Sequence, residues 1–326
     1  MAGDGLGVEG AGRLQGTGVQ VAGAAQPSEG SPSIAAGRQA AGEGPADADG
    51  AVSLVLRLAY DGAAYSGYAK QKDPRIHTVQ GELERALGTL LGQDVATVCA
   101  GRTDAGVHAL GQVASCQLAR AELAGRNLGK LRISLNALTP DDISVKDVGL
   151  ADAAFSARFS AVRREYRYRI ATGGEPPLFL RAYSWHCRGT LDVEAMRAGA
   201  AQLVGEHDFA SFCKAASAQG KNTVRCIEEL SIGPDVQLGE EHLVVRVVGN
   251  AFLHSMVRTI VGTLVEVGAG HRAPEWVGQA LRACQRSAAG QTAPACGLTF
   301  WGVQYPPGAV RWGAGEQLPL VGPSGT

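Results

Sequence analysis

The nine residues at 101–109 are Gly101-Arg102-Thr103-Asp104-Ala105-Gly106-Val107-His108-Ala109. They show neither helical nor strand periodicity, and glycines at both ends permit backbone angles that other residues avoid, so we expect a sharp, fixed loop. Such a loop can aim Asp104 into a cleft beside the charge of Arg102. An opposite charge keeps a carboxylate ionised, as a nucleophile or base requires. The alternative is a surface turn with an ordinary Asp–Arg pair.

Regular elements are predicted on both sides of this loop. Alternating apolar residues from Leu54 to Tyr60 indicate a strand, and Thr78 can cap a helix whose apolar residues share one face. Short strands are predicted to end at Ala100 and to run over 113–118. The other predicted elements are strands at 166–170, 225–232 and 243–248, a turn at 233–235, and helices at 131–138, 193–204, 254–267 and 275–286. Because strands and helices do not alternate regularly, the pattern predicts an α+β fold with antiparallel sheets.

The first 50 residues differ in composition from the rest of the chain. Gly and Ala dominate them and they contain no aromatic residue, so they have little apolar surface to offset the entropy of ordering. We expect a disordered extension over residues 1–50. Without it the chain has 28 basic and 25 acidic residues, a balance that by itself does not indicate strong nucleic-acid affinity. Transit peptides are usually rich in Arg and Ser and poor in acids, which this extension is not.

The remaining composition excludes several classes of protein. The seven cysteines are odd in number, scattered and without a C-x-x-C pair, which is typical of reduced thiols in an intracellular protein. We therefore expect a cytoplasmic protein, or an organellar one if the extension is a targeting segment. Neither the cysteines nor the seven histidines have the spacing of metal ligands. The sequence also contains no run of 18 apolar residues, so it predicts no membrane span.

Two arginine-containing segments are open to more than one interpretation. The segment 158–169 holds five arginines and one acid, and on a strand Tyr166 would point away from Arg167 and Arg169. It could bind phosphates on one face and present an aromatic ring on the other, or it could be a solvated basic strand over core tyrosines. Arg258 lies in an apolar helix, where an arginine often extends to the surface.

Further motifs follow the same order as those of a known family. They are Tyr60-Asp61-Gly62, Phe155-Ser156-Ala157-Arg158-Phe159-Ser160, Glu165-Tyr166-Arg167-Tyr168, Asn250-Ala251-Phe252-Leu253-His254-Ser255-Met256-Val257-Arg258 and Gly297-Leu298. With the 101–109 loop, they resemble the tRNA pseudouridine synthase A family over roughly residues 52 to 305. Chance agreement across so many spaced motifs is hard to credit.

The resemblance implies roles for individual residues. Asp104 would be the catalytic carboxylate, Tyr166 would stack on the target base, and Arg258 would neutralise Asp104 inside the cleft, since an unpaired buried charge costs several kcal/mol. Arg102 resembles the arginine that helps to displace the base, and Leu298 resembles an apolar residue of the pocket floor. The basic strand and the family pattern together predict RNA contacts for Arg163, Arg164 and Arg225.

The resemblance also implies the architecture and the reaction. The pseudouridine synthase fold has two similar halves, here 51–150 and 151–306, each an antiparallel sheet with flanking helices, with the catalytic cleft between them. A flexible tail would follow over 307–326. The implied reaction is isomerisation of uridine to pseudouridine at positions 38, 39 and 40 of the tRNA anticodon stem-loop. It needs no metal or cofactor, and the family implies a homodimer.

Two other functions remain compatible with the sequence. A catalytically inactive tRNA-binding or tRNA-folding protein on the same scaffold would keep the basic strand but would not need Asp104. A hydrolase would use Asp104 with a second carboxylate, as glycosidases do, and Asp61 is the nearest candidate. Release of free uracil would distinguish the hydrolase from an isomerase.

Overall fold

The structure, a computed structural model, describes residues 50–313. In this range the strands are β1 (Ala51–Tyr60), β2 (Val98–Cys99), β3 (His108–Ala119), β4 (Ile143–Asp152), β5 (Arg163–Gly173), β6 (Trp185–Arg188), β7 (Gly205–Asp208), β8 (Val224–Gln237), β9 (Glu240–Gly249), β10 (Leu298–Gln304) and β11 (Arg311–Trp312). The helices are α1 (Val79–Leu91), α2 (Leu128–Leu138), α3 (Val193–Ala201), α4 (Ala215–Ala218), α5 (Met256–Gly268) and α6 (Glu275–Ala283). The predicted extension lies outside the described residues except for Gly50.

One continuous sheet of eleven strands organises the described residues. Its order is β11-β4-β1-β3-β10-β5-β9-β8-β7, with β2 paired to β3 and β6 paired to β5. The predicted α+β class is confirmed, but the sheet is not purely antiparallel. The pairs β3–β10 and β5–β6 are parallel, and Thr299 of β10 lies opposite His108 of β3. Because β3 begins at His108, within the last two residues of the predicted loop, this junction places the loop near the middle of the sheet.

Local signals account for the elements around the loop. The predicted strand at 54–60 is confirmed as β1, which is buried along almost its whole length. Thr78 caps α1 by accepting a hydrogen bond from the backbone N–H of Gly81, and α2 ends at Leu138, just before Thr139-Pro140, as predicted. The predicted strand at 166–170 is also confirmed, within the longer β5.

The predicted turn at 233–235 is wrong. Strand β8 continues through Pro234 to Gln237, and a two-residue turn at Leu238-Gly239 leads into β9. Both turn residues have a positive φ, 54° for Leu238 and 79° for Gly239. A two-residue hairpin turn with positive φ at both positions matches the right-handed twist of the strands that it joins. Strand β7 pairs with β8 only from Val224 to Ile227, so Pro234 lies where β8 is an edge strand and tolerates a residue without an N–H.

Apolar side chains from the sheet and the helices form one core. Helix α2 packs on β4 and touches α1, while α3 packs against α5, α6 and β8. The segment 307–326 was predicted to be a flexible tail, but Arg311–Trp312 pair with β4, and residues 314–326 lie outside the described part of the chain. No helix within residues 50–313 is long and apolar enough to cross a membrane.

Candidate active site

The loop that carries Asp104 connects β2 to β3 and is held by hydrogen bonds to the residues just before the carboxylate. The hydroxyls of Thr103 and Tyr60 are 2.8 Å apart, and the carbonyl of Thr103 accepts the N–H of Tyr68 at 3.1 Å. The side-chain amide of Gln112 donates to the carbonyl of Gly101 at 2.7 Å. These contacts fix the backbone, so the direction of the Asp104 side chain is set by the fold. The prediction of a fixed loop is confirmed.

The two loop glycines are needed for different reasons. Gly106 has a φ of +76°, a left-handed conformation that other residues adopt only with strain. Gly101 has no positive φ, but a Cβ there would lie 3.0 Å from the ring of Phe300 and 3.3 Å from the hydroxyl of Tyr166. Gly101 therefore provides space for the aromatic side chains beside Asp104.

Three side chains from one segment contact the Asp104 carboxylate. A guanidinium nitrogen of Arg258 and the hydroxyl of Ser255 each lie 2.8 Å from Oδ2. The imidazole Nε2 of His254 lies 3.2 Å from Oδ1. The Arg258 and Asp104 side chains retain 18% and 23% exposure, so the pair is half-buried and still open to solvent. These contacts orient the carboxylate, as a nucleophile or base requires.

The start of α5 explains why these donors converge. The helix begins at Met256 rather than at the predicted His254, and Ser255 occupies its N-cap in a left-handed conformation with a φ of 59°. Asp104 therefore lies at a helix N-terminus, where backbone dipoles favour an anion. Arg258 lies in the first turn of α5, and its Nε donates to the carbonyl of Ala293 at 2.8 Å, which fixes the guanidinium.

Arg102 does not pair with Asp104 as the nonapeptide suggested. Its side chain is exposed, and among residues 50–313 no carboxylate lies within 4.0 Å of it. The loop turns at Asp104 so that the carboxylate faces α5, and the arginine two residues earlier points to solvent. Sequence reasoning also gave no role to His254 or Ser255. A serine directly before an apolar helix is a capping signal that identifies Ser255 as the start of α5.

Tyr166 lies in an aromatic cluster beside the loop. Its ring centroid is 5.0 Å from those of Phe252 and Phe300, with both rings edge-on. The side chain is buried, and burial raises the pKa of its hydroxyl well above the usual range, so the phenol stays protonated at neutral pH. Arg167 points the other way, as alternation on a strand predicted, and it pairs with Glu165 at 2.7 Å.

Arg164 is not on the phosphate-binding surface where the sequence placed it. It is buried, and its guanidinium donates to the backbone carbonyls of Ala100, Arg158 and Asn250 at 3.1, 2.6 and 2.5 Å. The reason is strand alternation, because Arg164 points to the same interior face as Tyr166. Its hydrogen bonds connect the residue before the Asp104 loop to the segment that leads into α5.

The other predicted substrate-binding residues are dispersed. Arg163 is exposed and pairs with Glu228 at 2.5 Å. Arg225 is half-buried and donates to the carbonyl of Val224 at 2.6 Å, and burial lowers the pKa of its guanidinium. Leu298 is buried opposite Tyr168 in the sheet. Its burial is compatible with a position on the pocket floor and also with simple core packing. The structure thus brings Asp104, Arg258 and Tyr166 together and leaves the arginines of the predicted RNA surface apart.

The candidate second carboxylate, Asp61, contacts other groups. Its oxygens lie 2.7 Å from the hydroxyl of Tyr183 and 3.0 Å from Nδ1 of His108. His108 is buried and its Nδ1 accepts the N–H of Gly62 at 3.1 Å, as a neutral ring does. These contacts favour a structural role for Asp61 at the end of β1. Within residues 50–313 no group of three or more His, Cys, Asp or Glu side chains could hold a metal ion.

His108 is expected to make the protein less stable in mild acid. Burial lowers the pKa of its ring, and the charge of Asp61 only partly opposes this, so the folded state binds a proton less readily than the unfolded chain. The stabilisation is present above the unfolded pKa of about 6.5 and is lost as pH falls from there through the lowered folded pKa. Melting temperatures between pH 7 and pH 5 should fall more for wild type than for His108→Asn. Parallel pH profiles would contradict the assignment.

Comparison with known proteins identifies the family of this chain. A family model described as tRNA pseudouridine synthase matches residues 200–306. The tRNA pseudouridine synthase A of Chloroflexus aurantiacus is 45% identical over 260 residues, which are 80% of this chain and 91% of the relative. The enzymes of the same name from Brevibacillus brevis and Bacillus subtilis are 46% and 44% identical, covering 76% and 77% of this chain and 97% and 98% of their own lengths.

These similarities define the class of protein. The chain belongs to the tRNA pseudouridine synthase A family. Among solved structures, a chain of the archaeal box H/ACA sRNP Nop10–Cbf5 complex aligns with 65% of this chain and 44% of its own length. The TM-score is 0.29 at 12% identity, a likeness too low to support an argument.

Proposed function

We propose that the protein isomerises uridine to pseudouridine at positions 38, 39 and 40 in the anticodon stem-loop of tRNA. Isomerisation of uridine in tRNA follows from membership of the family. The observation that supports it in the site is Asp104, held by Arg258, Ser255 and His254 beside the buried Tyr166. The particular positions come from the family resemblance.

The reaction needs a carboxylate and a pocket that retains a detached base. The bond from N1 to C1′ breaks, a bond from C5 to C1′ forms, the C5 proton leaves, and N1 gains a proton. Asp104 can begin this by attacking C1′, by attacking C6, or by removing a proton from C2′. Each route requires an anionic, oriented carboxylate. The target base must first leave its stack, which costs a few kcal/mol and is easiest in loops and weak pairs.

The neighbouring residues are proposed to act on the base and on the charge of Asp104. Arg258 orients the carboxylate by pairing with it, and Tyr166 stacks on the extruded uracil with its hydroxyl placed to assist removal of the C5 proton. Arg102, which is exposed beside the loop, takes the place of the base in the RNA. Leu298 belongs to the pocket floor. Among the predicted RNA contacts, Arg163 and Arg225 remain proposals, whereas Arg164 is assigned to holding the site together.

The order of the strands in the sheet supports a cleft at the junction of β3 and β10. Strands β1–β4 come from residues 51–152 and strands β5–β10 from residues 163–304, so the boundary near 150 separates two groups of strands. We propose that these groups are the two halves of the fold and that the cleft lies where they meet. A homodimer is also proposed from the family, and sedimentation of the purified protein tests it. A monomer that retains full activity would contradict the dimer.

Tyr166→Phe is expected to lower kcat about 100-fold with little change in tRNA affinity, because it keeps the ring but removes a hydroxyl that takes part in proton transfer. Tyr168→Phe is the matched control on the same strand face. Its hydroxyl donates to the carbonyl of Pro294 at 2.8 Å, so the control should lose about 1 kcal/mol of stability and keep its kcat. Equal kcat values for the two variants would contradict the role of the Tyr166 hydroxyl.

The experiment that tests the function is tritium release from tRNA labelled with [5-³H]uridine. Wild type should release tritium from transcripts with uridine at position 38, 39 or 40, and transcripts with cytidine at all three should release none. Release from the cytidine transcripts would overturn the position assignment. Tight tRNA binding without release from any transcript would favour the inactive tRNA-binding protein.

A further inference from the structure

An aromatic side chain near the catalytic loop is almost fully exposed. Phe159 lies in the turn before β5 with 80% of its surface accessible. The guanidinium of Arg158 lies 5.3 Å from the centroid of its ring, over one face. The solvent-exposed part of the ring is available to another planar group. A cation over the ring adds an electrostatic attraction and a positive charge beside that surface.

The turn that carries Phe159 is held rigidly. The N–H of Ser160 donates to the carbonyl of Ser156 at 2.9 Å, and the N–H of Ser156 donates to the hydroxyl of Ser160 at 3.1 Å. The backbone of Ala157 accepts from the hydroxyl of Tyr305 at 2.7 Å and donates to that of Ser115 at 3.0 Å. The ring is therefore presented from an ordered turn, so a ligand that stacks on it would not have to order the backbone first.

The hydrogen bonds of Arg164 connect this turn to the edge of the catalytic site. One of its nitrogens donates to the carbonyl of Arg158, and others donate to the carbonyls of Ala100 and Asn250. Ala100 directly precedes the catalytic loop, and Asn250 begins the segment that leads to α5. Because a single guanidinium reaches all three carbonyls, the backbone before Phe159 lies within a few ångström of both parts of the site.

Positive charge accompanies the exposed ring. Arg102 and Arg158 are both exposed, and among residues 50–313 neither has a carboxylate within 4.0 Å. Both guanidinium charges act on Cys99, where they oppose the rise of its pKa to about 11 that burial causes. Both arginines therefore lie near Cys99, the residue that ends β2. Unpaired cations beside an aromatic ring match the phosphates and bases of single-stranded RNA.

We propose that Phe159, backed by Arg158, is a stacking platform for an unpaired tRNA base next to the target uridine. The proposal rests on the proposed function, because extrusion of the target takes a stacking partner from its neighbours in the RNA. An aromatic ring at the edge of the cleft replaces that partner, and stacking of this kind tolerates any base. The platform would then assist base extrusion at three different positions without reading the sequence.

The test compares Phe159→Ala, Phe159→Leu and Phe159→Trp with the matched control Phe179→Ala, another exposed phenylalanine, 61% accessible. Phe159→Ala should raise the Kd for tRNA and the KM about 10-fold, with kcat at saturation changing less than about threefold. Phe159→Trp should restore both constants, Phe159→Leu should not, and Phe179→Ala should match wild type. The slope of the logarithm of tRNA affinity against the logarithm of salt concentration should fall in Arg158→Ala by the amount expected for about one phosphate contact. The same slope should be unchanged in Phe159→Ala.

Two results would overturn the platform. One is wild-type affinity in Phe159→Ala, and the other is full rescue by leucine, which would show that the site needs an apolar group and not a planar ring. The Kd measurements separate the platform from the proposed function. Wild-type enzyme that binds tRNA but releases no tritium would contradict the isomerisation, while the series at Phe159 would still report stacking.

Discussion

Replacing Asp104 with asparagine is expected to lower tritium release from [5-³H]uridine-labelled tRNA at least about a thousandfold, which corresponds to about 4 kcal/mol of transition-state stabilisation. The amide has the size of the carboxylate and can accept hydrogen bonds from Ser255 and Arg258, so the local structure should persist. It lacks the negative charge that attack or proton removal requires. The affinity for tRNA should therefore stay within about threefold of wild type, less than 1 kcal/mol.

Asp73→Asn is the matched control for that substitution. Asp73 is a partly exposed carboxylate that binds Arg75 two residues away, so its loss should leave turnover unchanged. Affinity should be measured by titration of unmodified tRNA, because turnover and binding are then separate readouts. Substantial conversion by Asp104→Asn would remove the carboxylate from its catalytic role. Loss of binding together with conversion would show that Asp104 acts in RNA recognition.

Replacing Arg258 with methionine is expected to lower kcat about 100-fold, or about 2.7 kcal/mol in the barrier. Methionine fills much of the space of the arginine stem but removes the cation that lies 2.8 Å from Asp104. The carboxylate would keep its contacts with Ser255 and His254 and lose both its main counter-charge and its fixed orientation. Single-turnover rates at saturating tRNA measure the chemical step apart from binding.

Arg258→Lys distinguishes charge from geometry in the same experiment. Lysine keeps the positive charge but cannot bind Asp104 and the carbonyl of Ala293 with two nitrogens of one rigid plane. We expect an activity between those of wild type and Arg258→Met. Arg282→Met, on α6, is the control for loss of a positive charge far from the carboxylate. Wild-type kcat in Arg258→Met would show that Ser255 and His254 suffice to hold the carboxylate.

Much of the secondary structure around the site could be predicted because its signals are local. Alternation from Leu54 to Tyr60 indicates β1, and Thr78 before an apolar helical face indicates the start of α1. The hairpin between β8 and β9 was misplaced because Pro234 is a turn residue in most local contexts. Its tolerance in β8 depends on where β7 stops pairing, which is a property of the sheet.

The position of some predicted site residues follows the sequence analysis and that of others does not. Asp104, Tyr166 and Arg258 came from the family resemblance and lie together in the structure. Arg164 was expected to bind RNA, but strand alternation turns it inward to three backbone carbonyls. An arginine in a basic run is compatible with either role, since the choice depends on which face of the strand is buried.

By itself the sequence determined the loop around Asp104 and the helices and strands next to it, because these depend on residues close along the chain. It also determined which kinds of side chain the site contains, through motifs that are each local. The family resemblance implied that Arg258 neutralises Asp104, whereas the residues of the loop by themselves pointed to Arg102, and only the tertiary structure brings the Arg258 guanidinium to the carboxylate. The nearest candidate, Arg102, is exposed, whereas Arg258 is 154 residues away and is the partner. That pairing arises because β10 joins β3 in the sheet and α5 presents its N-terminus to the loop.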